Sequence, residues 1–279
     1  MTPKQGNPYE IIGARGPGGE SGAEISWESV PKLVRNGTKP LPPPWEEIFG
    51  PLRASRPDNL VVLGQIGQSL DGRVATMNGH SHYINGPAGL AHLHRLRALV
   101  DAVVVGVGTV LADDPQLTVR RVSGPQPARV VIDPTGRLPT SARLFAADGV
   151  RRMVITAADA KTQHPPEIDT VRLPAPSGRI APQTIVEALV ERGLHRILIE
   201  GGAETVSRFL VAGCLDRLHV VVAPIIIGDG RPSFILPPIE RVDDALRAPM
   251  RAHRLGDEVL FDCDLSDQRK SVGSTKIST

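Results

Sequence analysis

The sequence predicts an α/β protein, with a mostly parallel central sheet, helices on both faces and antiparallel strands added at the C-terminal edge. Three observations predict it. From residue 60 onward, short apolar runs alternate with longer segments of helical spacing, as when strands buried on both faces are joined by crossover helices. The late apolar runs around Leu218–Val222 and Val259–Cys263 are separated by loop-like sequence alone, which suits antiparallel neighbours. No period of roughly 20 to 50 residues recurs, so a solenoid is excluded.

Residues 1–24 are rich in Gly, Pro and polar side chains without periodicity and read as an extended or disordered lead-in. Trp27, Val30, Leu33 and Val34 fit one face of a short helix, and Trp45, Ile48, Phe49 and Leu52 fit a second. Between them Leu41-Pro42-Pro43-Pro44-Trp45 fits extended polyproline structure. Both tryptophans fall in this arm, residues 1–58, so the arm is expected to dock on the body or on a neighbouring subunit. The body is expected over 59–265, with 266–279 a flexible tail.

Within the body, Leu60–Ile66 reads as a buried strand and Pro87–Leu99 as a helix with proline in its first turn and leucines at 90, 93 and 96. Strands follow at Ala102–Val107, at Ala128–Ile132 before the Asp133-Pro134-Thr135-Gly136 turn, and at Arg152–Thr156. Pro165–Pro176, with its prolines, reads as a loop holding at most a short strand. A helix over Pro182–Arg192, closed by Gly193, leads to a strand at Arg196–Ile199 and a helix from Ala203 to about Val211. Strands at Arg217–Ala223 and Glu258–Cys263 complete the series.

Composition narrows the function. With 41% apolar and 22% charged residues the chain is an ordinary globular protein, and a net charge of +2 without an aromatic-interleaved basic run excludes a nucleic-acid partner. No apolar run is long enough to span a membrane, and the N-terminus lacks a secretory signal. Cys214 and Cys263 read as buried thiols of a reducing compartment, so the cytoplasm is the expected location.

The chemistry concentrates between Val61 and Arg120. An apolar strand ending in Gly106-Val107-Gly108-Thr109 lets a ligand approach the backbone, and the amides opening the next helix are donors for an anion. Arg97 and Arg120 add forked, permanent cations suited to phosphate; Asp101 and Asp114 are the candidate partners if either arginine is structural. Gly106–Thr109 lacks the third glycine of a dinucleotide fingerprint. Glu200-Gly201-Gly202, after the strand Arg196–Ile199, fits either a phosphate cradle or simple tight packing. Asp113 and Asp114 fit paired carboxylates, and more often such an Asp-Asp-Pro caps a turn. His80, His82, His92 and His94 have no Cys or carboxylate at zinc spacing and read as solvated or helix-surface residues, so no metal is expected.

Five segments carry a resemblance: Ser69-Leu70-Asp71-Gly72, Leu96-Arg97-Ala98, Gly108-Thr109-Val110-Leu111-Ala112-Asp113-Asp114-Pro115, Leu117-Thr118-Val119-Arg120 and Glu200-Gly201-Gly202-Ala203. In order and spacing they resemble the reductase domain of the riboflavin-biosynthesis family RibD, over about Leu60 to Asp264. The resemblance implies a dihydrofolate reductase-like fold, a homodimer paired through edge strands, and NADPH as cofactor. It implies reduction of 5-amino-6-(5-phosphoribosylamino)uracil to its ribitylamino product. It also implies that Ser81, Arg97, Leu117, Arg120 and Glu200 face the substrate, with the two arginines on its phosphate. Tyr83, Thr109, Asp113 and the backbone of Gly201, Gly202 and Ala203 are implied for NADPH, with Thr135 and Arg137 as candidates for its 2′-phosphate.

The chain departs from the family pattern at Tyr83, commonly Trp, at Asn85, commonly Thr, and at Asp133-Pro134. It carries neither the His-x-Glu nor the Pro-Cys-x-x-Cys signature of the family's deaminase half, so a reductase standing alone is expected. A relative acting on another pyrimidine or pterin is the alternative, and a non-catalytic nucleotide binder a weaker one. The matched motifs contain no His or Lys, which leaves the catalytic acid unidentified, with water or the substrate itself as proton source.

Overall fold

The computed structural model describes residues 10–11, 27–36, 39–43, 45–53, 59–82, 84–162 and 164–270. Most of the lead-in over 1–24, Tyr83 and residues 271–279 of the expected tail lie outside the described residues.

A two-residue strand β1 (Glu10–Ile11) precedes two short helices, α1 (Val30–Asn36) and α2 (Trp45–Phe49). Strand β2 (Val61–Ser69) turns into β3 (Arg73–Thr76), and helix α3 (Pro87–Leu99) leads to β4 (Ala102–Gly106) and α4 (Val107–Asp113). Next come β5 (Ala128–Ile132), β6 (Arg152–Ala157) and β7 (Asp169–Leu173), then α5 (Pro182–Val190), β8 (Arg196–Ile199) and α6 (Ala203–Val211). The chain ends through β9 (Arg217–Ala223), β10 (Gly230–Pro232), β11 (Met250–Leu255) and β12 (Glu258–Asp264).

Ten strands form one sheet in the order β1-β11-β12-β9-β2-β8-β4-β5-β6-β7. Neighbours from β9 to β7 run parallel, and β12, β11 and β1 are added antiparallel. Alternation along each strand divides the core. Val61, Leu63, Val103, Val105 and Leu198 pack with α1, α2 and α3, while Val62, Val104, Ile197 and Ile199 pack with α5 and α6. Strand β8 returns to lie between β2 and β4, so the segments leaving β4 and β8 emerge side by side at the carboxyl end of the sheet, where ligands of open α/β sheets bind.

Helix α3 is held at both ends by long-range partners. The buried Glu258 carboxylate accepts from the amides of Gly86 (3.0 Å) and Gly89 (2.7 Å), supplying the cap that Gly86 cannot. Glu258 also accepts from Asn85 (2.8 Å), whose side chain occupies the space a Cβ on Gly67 would need.

The arm docks through its aromatic residues. Trp27 packs edge-on against Trp45 at 5.4 Å, the Arg95 guanidinium lies 5.2 Å from the Trp45 ring centre, and the Trp27 indole donates to the Ser123 carbonyl at 2.6 Å. The proline run is not extended throughout, because the Trp45 amide donates to the Pro42 carbonyl and closes a turn. At the other end, residues 266–270 of the expected tail are packed on the body. Arg269 forms a buried ion pair with Asp216 at 2.9 Å, which keeps the chain packed through Lys270.

Sequence reasoning omitted β3, β10 and β11. The first two pair only with each other, and β11 is polar with its outward residues in water, so none has a continuous apolar run. The late apolar runs, β9 and β12, are antiparallel neighbours as expected, and each has a further strand on its other side.

Candidate functional site

The turns after β4 and β8 meet in a cradle built on glycine. Gly201 adopts φ +108°, and a Cβ there would lie 2.7 Å from Thr109 Oγ1, so a side chain is excluded by both conformation and space. The Thr109 hydroxyl accepts from the Gly202 amide at 2.9 Å, tying the first turn of α4 to the start of α6. At Gly106 a Cβ would lie 2.5 Å from Thr205 Oγ1, so the two helix starts approach only because that residue is glycine. Gly202 is the N-cap of α6 and offers no side-chain cap to the first-turn amides. Uncapped amides beside open space at Gly108 fit the phosphates of a dinucleotide.

At the end of β8, Glu200 is buried and paired in a fork with the buried Arg97. Arg97 Nε and Nη2 donate to the Glu200 carboxylate at 2.8 and 2.6 Å, and Nη1 donates to the Thr118 carbonyl at 3.1 Å. This corrects the expectation for Arg97. Its carboxylate partner is Glu200, 103 residues away in sequence, not Asp101 or Asp114. Asp101 instead pairs with Arg196 (3.0 Å), and Asp114 accepts from the Arg143 amide (2.8 Å).

The loop from α4 to Arg120 is strained twice. Asp114 has φ +39° and the fully buried Leu117 φ +55°, conformations that non-glycine residues adopt at a cost on the order of 1 kcal/mol or more. The loop is pinned by His94, whose Nδ1 accepts from the Arg120 amide at 3.0 Å. Burial, then the guanidiniums of Arg97, Arg120 and Arg121, push His94 down to about 3, so it stays the neutral acceptor this bond requires. The exposed Arg120 side chain donates to the Thr118 hydroxyl at 3.1 Å. Burial, followed by Arg97, Arg121 and Arg143, lowers its pKa, a sign of cationic crowding.

The site residues expected from sequence therefore fall into groups. Thr109, Gly201, Gly202 and Ala203 form the cradle. Arg97, Glu200 and Arg120 are joined through Thr118, next to Leu117. Ser81 and Asp113 meet each other at 3.3 Å. Thr135 and Arg137 are exposed on the turn after β5, which Asp133 shapes by accepting from the amides of Gly136 (3.0 Å) and Leu138 (2.7 Å).

The histidine expectation is corrected in part. His92 and His94 are 0% and 2% exposed, so they belong to the core and not to the helix surface. His94 and Arg143 were missed as neighbours of Arg120 because their link to it is spatial, whereas Arg121 stands next to it in sequence and was not singled out. Among the described residues no three His, Cys, Asp or Glu side chains gather as metal ligands. Cys214 and Cys263 are free thiols, and burial raises both pKa values, that of Cys214 to about 11. No helix among the described residues is long and apolar enough to cross a membrane.

The model of the RibD C-terminal domain family matches residues 61–259. The chain is 34% identical, over 214 residues, to a 2,5-diamino-6-ribosylamino-4(3H)-pyrimidinone 5′-phosphate reductase of Methanothermobacter thermautotrophicus, covering 72% of this chain and 96% of that protein. It is 33% identical over 218 residues to the riboflavin biosynthesis protein RibD of Aquifex aeolicus, covering 77% of this chain but only 60% of that longer protein. The crystal structure of a deaminase/reductase from Thermotoga maritima superposes with a TM-score of 0.64 at 27% identity, over 74% of this chain and 56% of that one. A riboflavin biosynthesis reductase of Saccharomyces cerevisiae shares the fold, with a TM-score of 0.64 at 20% identity over 85% of this chain and 99% of that one. With its family model spanning the sheet from β2 to the start of β12, the chain belongs to the RibD C-terminal domain family, the oxidoreductases of riboflavin biosynthesis.

Proposed function

We propose that this protein is an NADPH-dependent reductase of a 6-(5-phosphoribosylamino)pyrimidine, with 5-amino-6-(5-phosphoribosylamino)uracil as substrate and its ribitylamino derivative as product. The observation that carries this reading is the meeting, at the carboxyl ends of β4 and β8, of an anion-accepting glycine cradle with the Arg97–Glu200 pair. Thr109 and the backbone of Gly201, Gly202 and Ala203 would hold the cofactor's phosphates, with Asp113, Tyr83, Thr135 and Arg137 completing its site. When bound, that cofactor supplies hydride to C1 of the ring-opened ribose. The chain's own residues orient the acceptor. Ser81, Leu117 and Arg120 flank the substrate, and the Glu200 carboxylate, fixed by Arg97, accepts from a sugar hydroxyl or the pyrimidine edge. The proton comes from water or from the substrate.

The near-complete coverage of the Methanothermobacter reductase favours a second reading, in which the pyrimidine still carries its 2-amino group. Both substrates present the same phosphoribosylamino group. NADPH oxidation measured with the uracil, with the 2,5-diaminopyrimidinone and with dihydrofolate separates them. Turnover of dihydrofolate alone would overturn the reading.

The same reading takes residues 1–58 as an arm on a reductase domain starting at 59, in a cytoplasmic homodimer. Exposed Ile226, Ile235, Ile239, Val242 and Met250 support pairing through the 225–250 segment instead of through β9 and β12. Light scattering at micromolar concentration checks it.

A further inference from the structure

Two loops that are distant in sequence are stitched together beside the Arg97–Glu200 pair. Asp114, which ends α4, accepts from the Arg143 amide at 2.8 Å. Leu117 and Val119 of one loop share a core with Leu138, Ala142, Leu144 and Phe145 of the other. This joins Arg120 and Arg121 to Arg143, all three exposed. Among the described residues none of the three guanidiniums has a carboxylate partner, while Arg97 and Glu200 neutralise each other. The cluster is a rigidly backed group of three uncompensated cations, and like charges held together without counterions favour an anion of matching charge.

We propose that Arg143, with Arg120 and Arg121, completes the site for the dianionic 5′-phosphate of the substrate, and that Arg143 selects phosphorylated over unphosphorylated sugar. This rests on the reductase reading above and adds a residue to it. The phosphate is taken to be the substrate's because Thr118 links Arg120, through its hydroxyl, to Arg97, through its carbonyl, and so to Glu200. The cofactor's phosphates have a separate cradle at Thr109 and Gly202. The structural contact of Arg143 is made by its backbone amide, which any replacement other than proline retains.

The test uses the full chain with Arg143→Gln and Arg143→Lys. Binding of ribose 5-phosphate, ribose, NADPH and NADH is titrated calorimetrically, beside KM, kcat and Tm. Arg143→Gln is expected to weaken ribose 5-phosphate roughly 10- to 100-fold, the loss of one charge-assisted contact, and to raise KM similarly. Ribose, NADPH, kcat and Tm should hold, and Arg143→Lys should recover part of the loss. Unchanged ribose 5-phosphate affinity and KM overturn the proposal. So does a selective loss of NADPH over NADH, which would give the cluster to the cofactor's 2′-phosphate. If wild type binds ribose 5-phosphate through Arg143 but turns over neither pyrimidine, the reductase reading falls and the phosphate site stands. Turnover with an indifferent Arg143→Gln gives the reverse.

Discussion

Two ion-pair networks touch α3, and they differ in where they stand in the sheet. The first joins β9 to β12. Arg217 grips Asp262 at 2.9 and 2.5 Å and Asp264 at 3.1 Å, while His219 stands 3.1 Å from Asp262 and 3.0 Å from His92 of the helix. Burial alone would raise the Asp262 carboxyl, but His219 and then Arg217 outweigh it and hold it well below the usual carboxylate range. The second network, Arg97–Glu200, uses three of the five guanidinium N–H groups and lies against the loop of Arg120 and the turn of Gly201. Arg217 likewise uses three of its five N–H groups, so what differs is the place: the first network ties β9 to β12, and the second stands at the carboxyl end of the sheet, where a ligand can reach its remaining donors.

The sharpest way to break this comparison is to remove one carboxylate from each network. Glu200→Ala leaves the buried Arg97 without a carboxylate and Asp262→Ala leaves the buried Arg217 with Asp264 alone, and each should cost about 3–5 kcal/mol in urea unfolding. Only Glu200→Ala should also lower kcat/KM of the folded fraction, by roughly 100-fold or more. An equal catalytic loss in Asp262→Ala would erase the distinction.

Arg120 comes next. Because its side chain is exposed and bonded only to Thr118 among the described residues, Arg120→Ala should melt close to wild type. A phosphate contact worth about 2–3 kcal/mol corresponds to a loss of roughly 30- to 150-fold in kcat/KM. NADPH affinity should not change. Arg97→Ala should instead lower Tm, since it leaves Glu200 buried without its partner. Steady-state kinetics beside thermal melts separate the two arginines, and a destabilised Arg120→Ala would place that residue in the structural class.

The networks also predict a pH dependence, because α3 sends one histidine to each. Burial, then His219 and Arg95, hold His92 well below the ordinary imidazole range, and His94 is pushed to about 3. Above about pH 6.5 both are neutral folded and unfolded, and neither affects stability. Below that, the unfolded chain takes up protons that the folded chain refuses, so stability falls as pH drops from 6.5 towards 3. Tm followed from pH 7.5 to 5 should decline, and the decline should be shallower in His94→Gln. A flat wild-type profile would show that the two rings charge freely in the fold.

How much of this was legible depends on where each signal resides. Strands β5, β8 and β9 and helix α3 match the sequence reading end to end, because each strand is built on a run of buried Val, Ile or Leu and α3 opens with a proline. The glycine cradle was legible for a similar local reason, since Gly201 and Gly202 stand directly after an apolar strand. The Arg97–Glu200 pair was not, for both residues carry the right chemistry for a ligand and only the fold shows that they spend it on each other. The stitch from Asp114 to Arg143 was further out of reach. It spans 29 residues and ends on a backbone amide, which no residue type announces.

The smallest effect belongs to an uncharged contact at the sheet's carboxyl end. The Thr109 hydroxyl accepts from the Gly202 amide, and Thr109→Val removes that acceptor while keeping the branched shape against Gly201. Since the contact is exposed, water can replace the hydroxyl, so the loss should sit at the lower end of the hydrogen-bond range, about 0.5–1 kcal/mol. That is roughly a two- to five-fold weakening of NADPH, read by fluorescence titration. Ribose 5-phosphate binding should be untouched, because the Thr109 hydroxyl bonds the Gly202 amide and none of the arginines. If Thr109→Val weakened ribose 5-phosphate as much as Arg120→Ala does, the cradle and the arginine cluster would be one site, and the division drawn at Glu200 would fail.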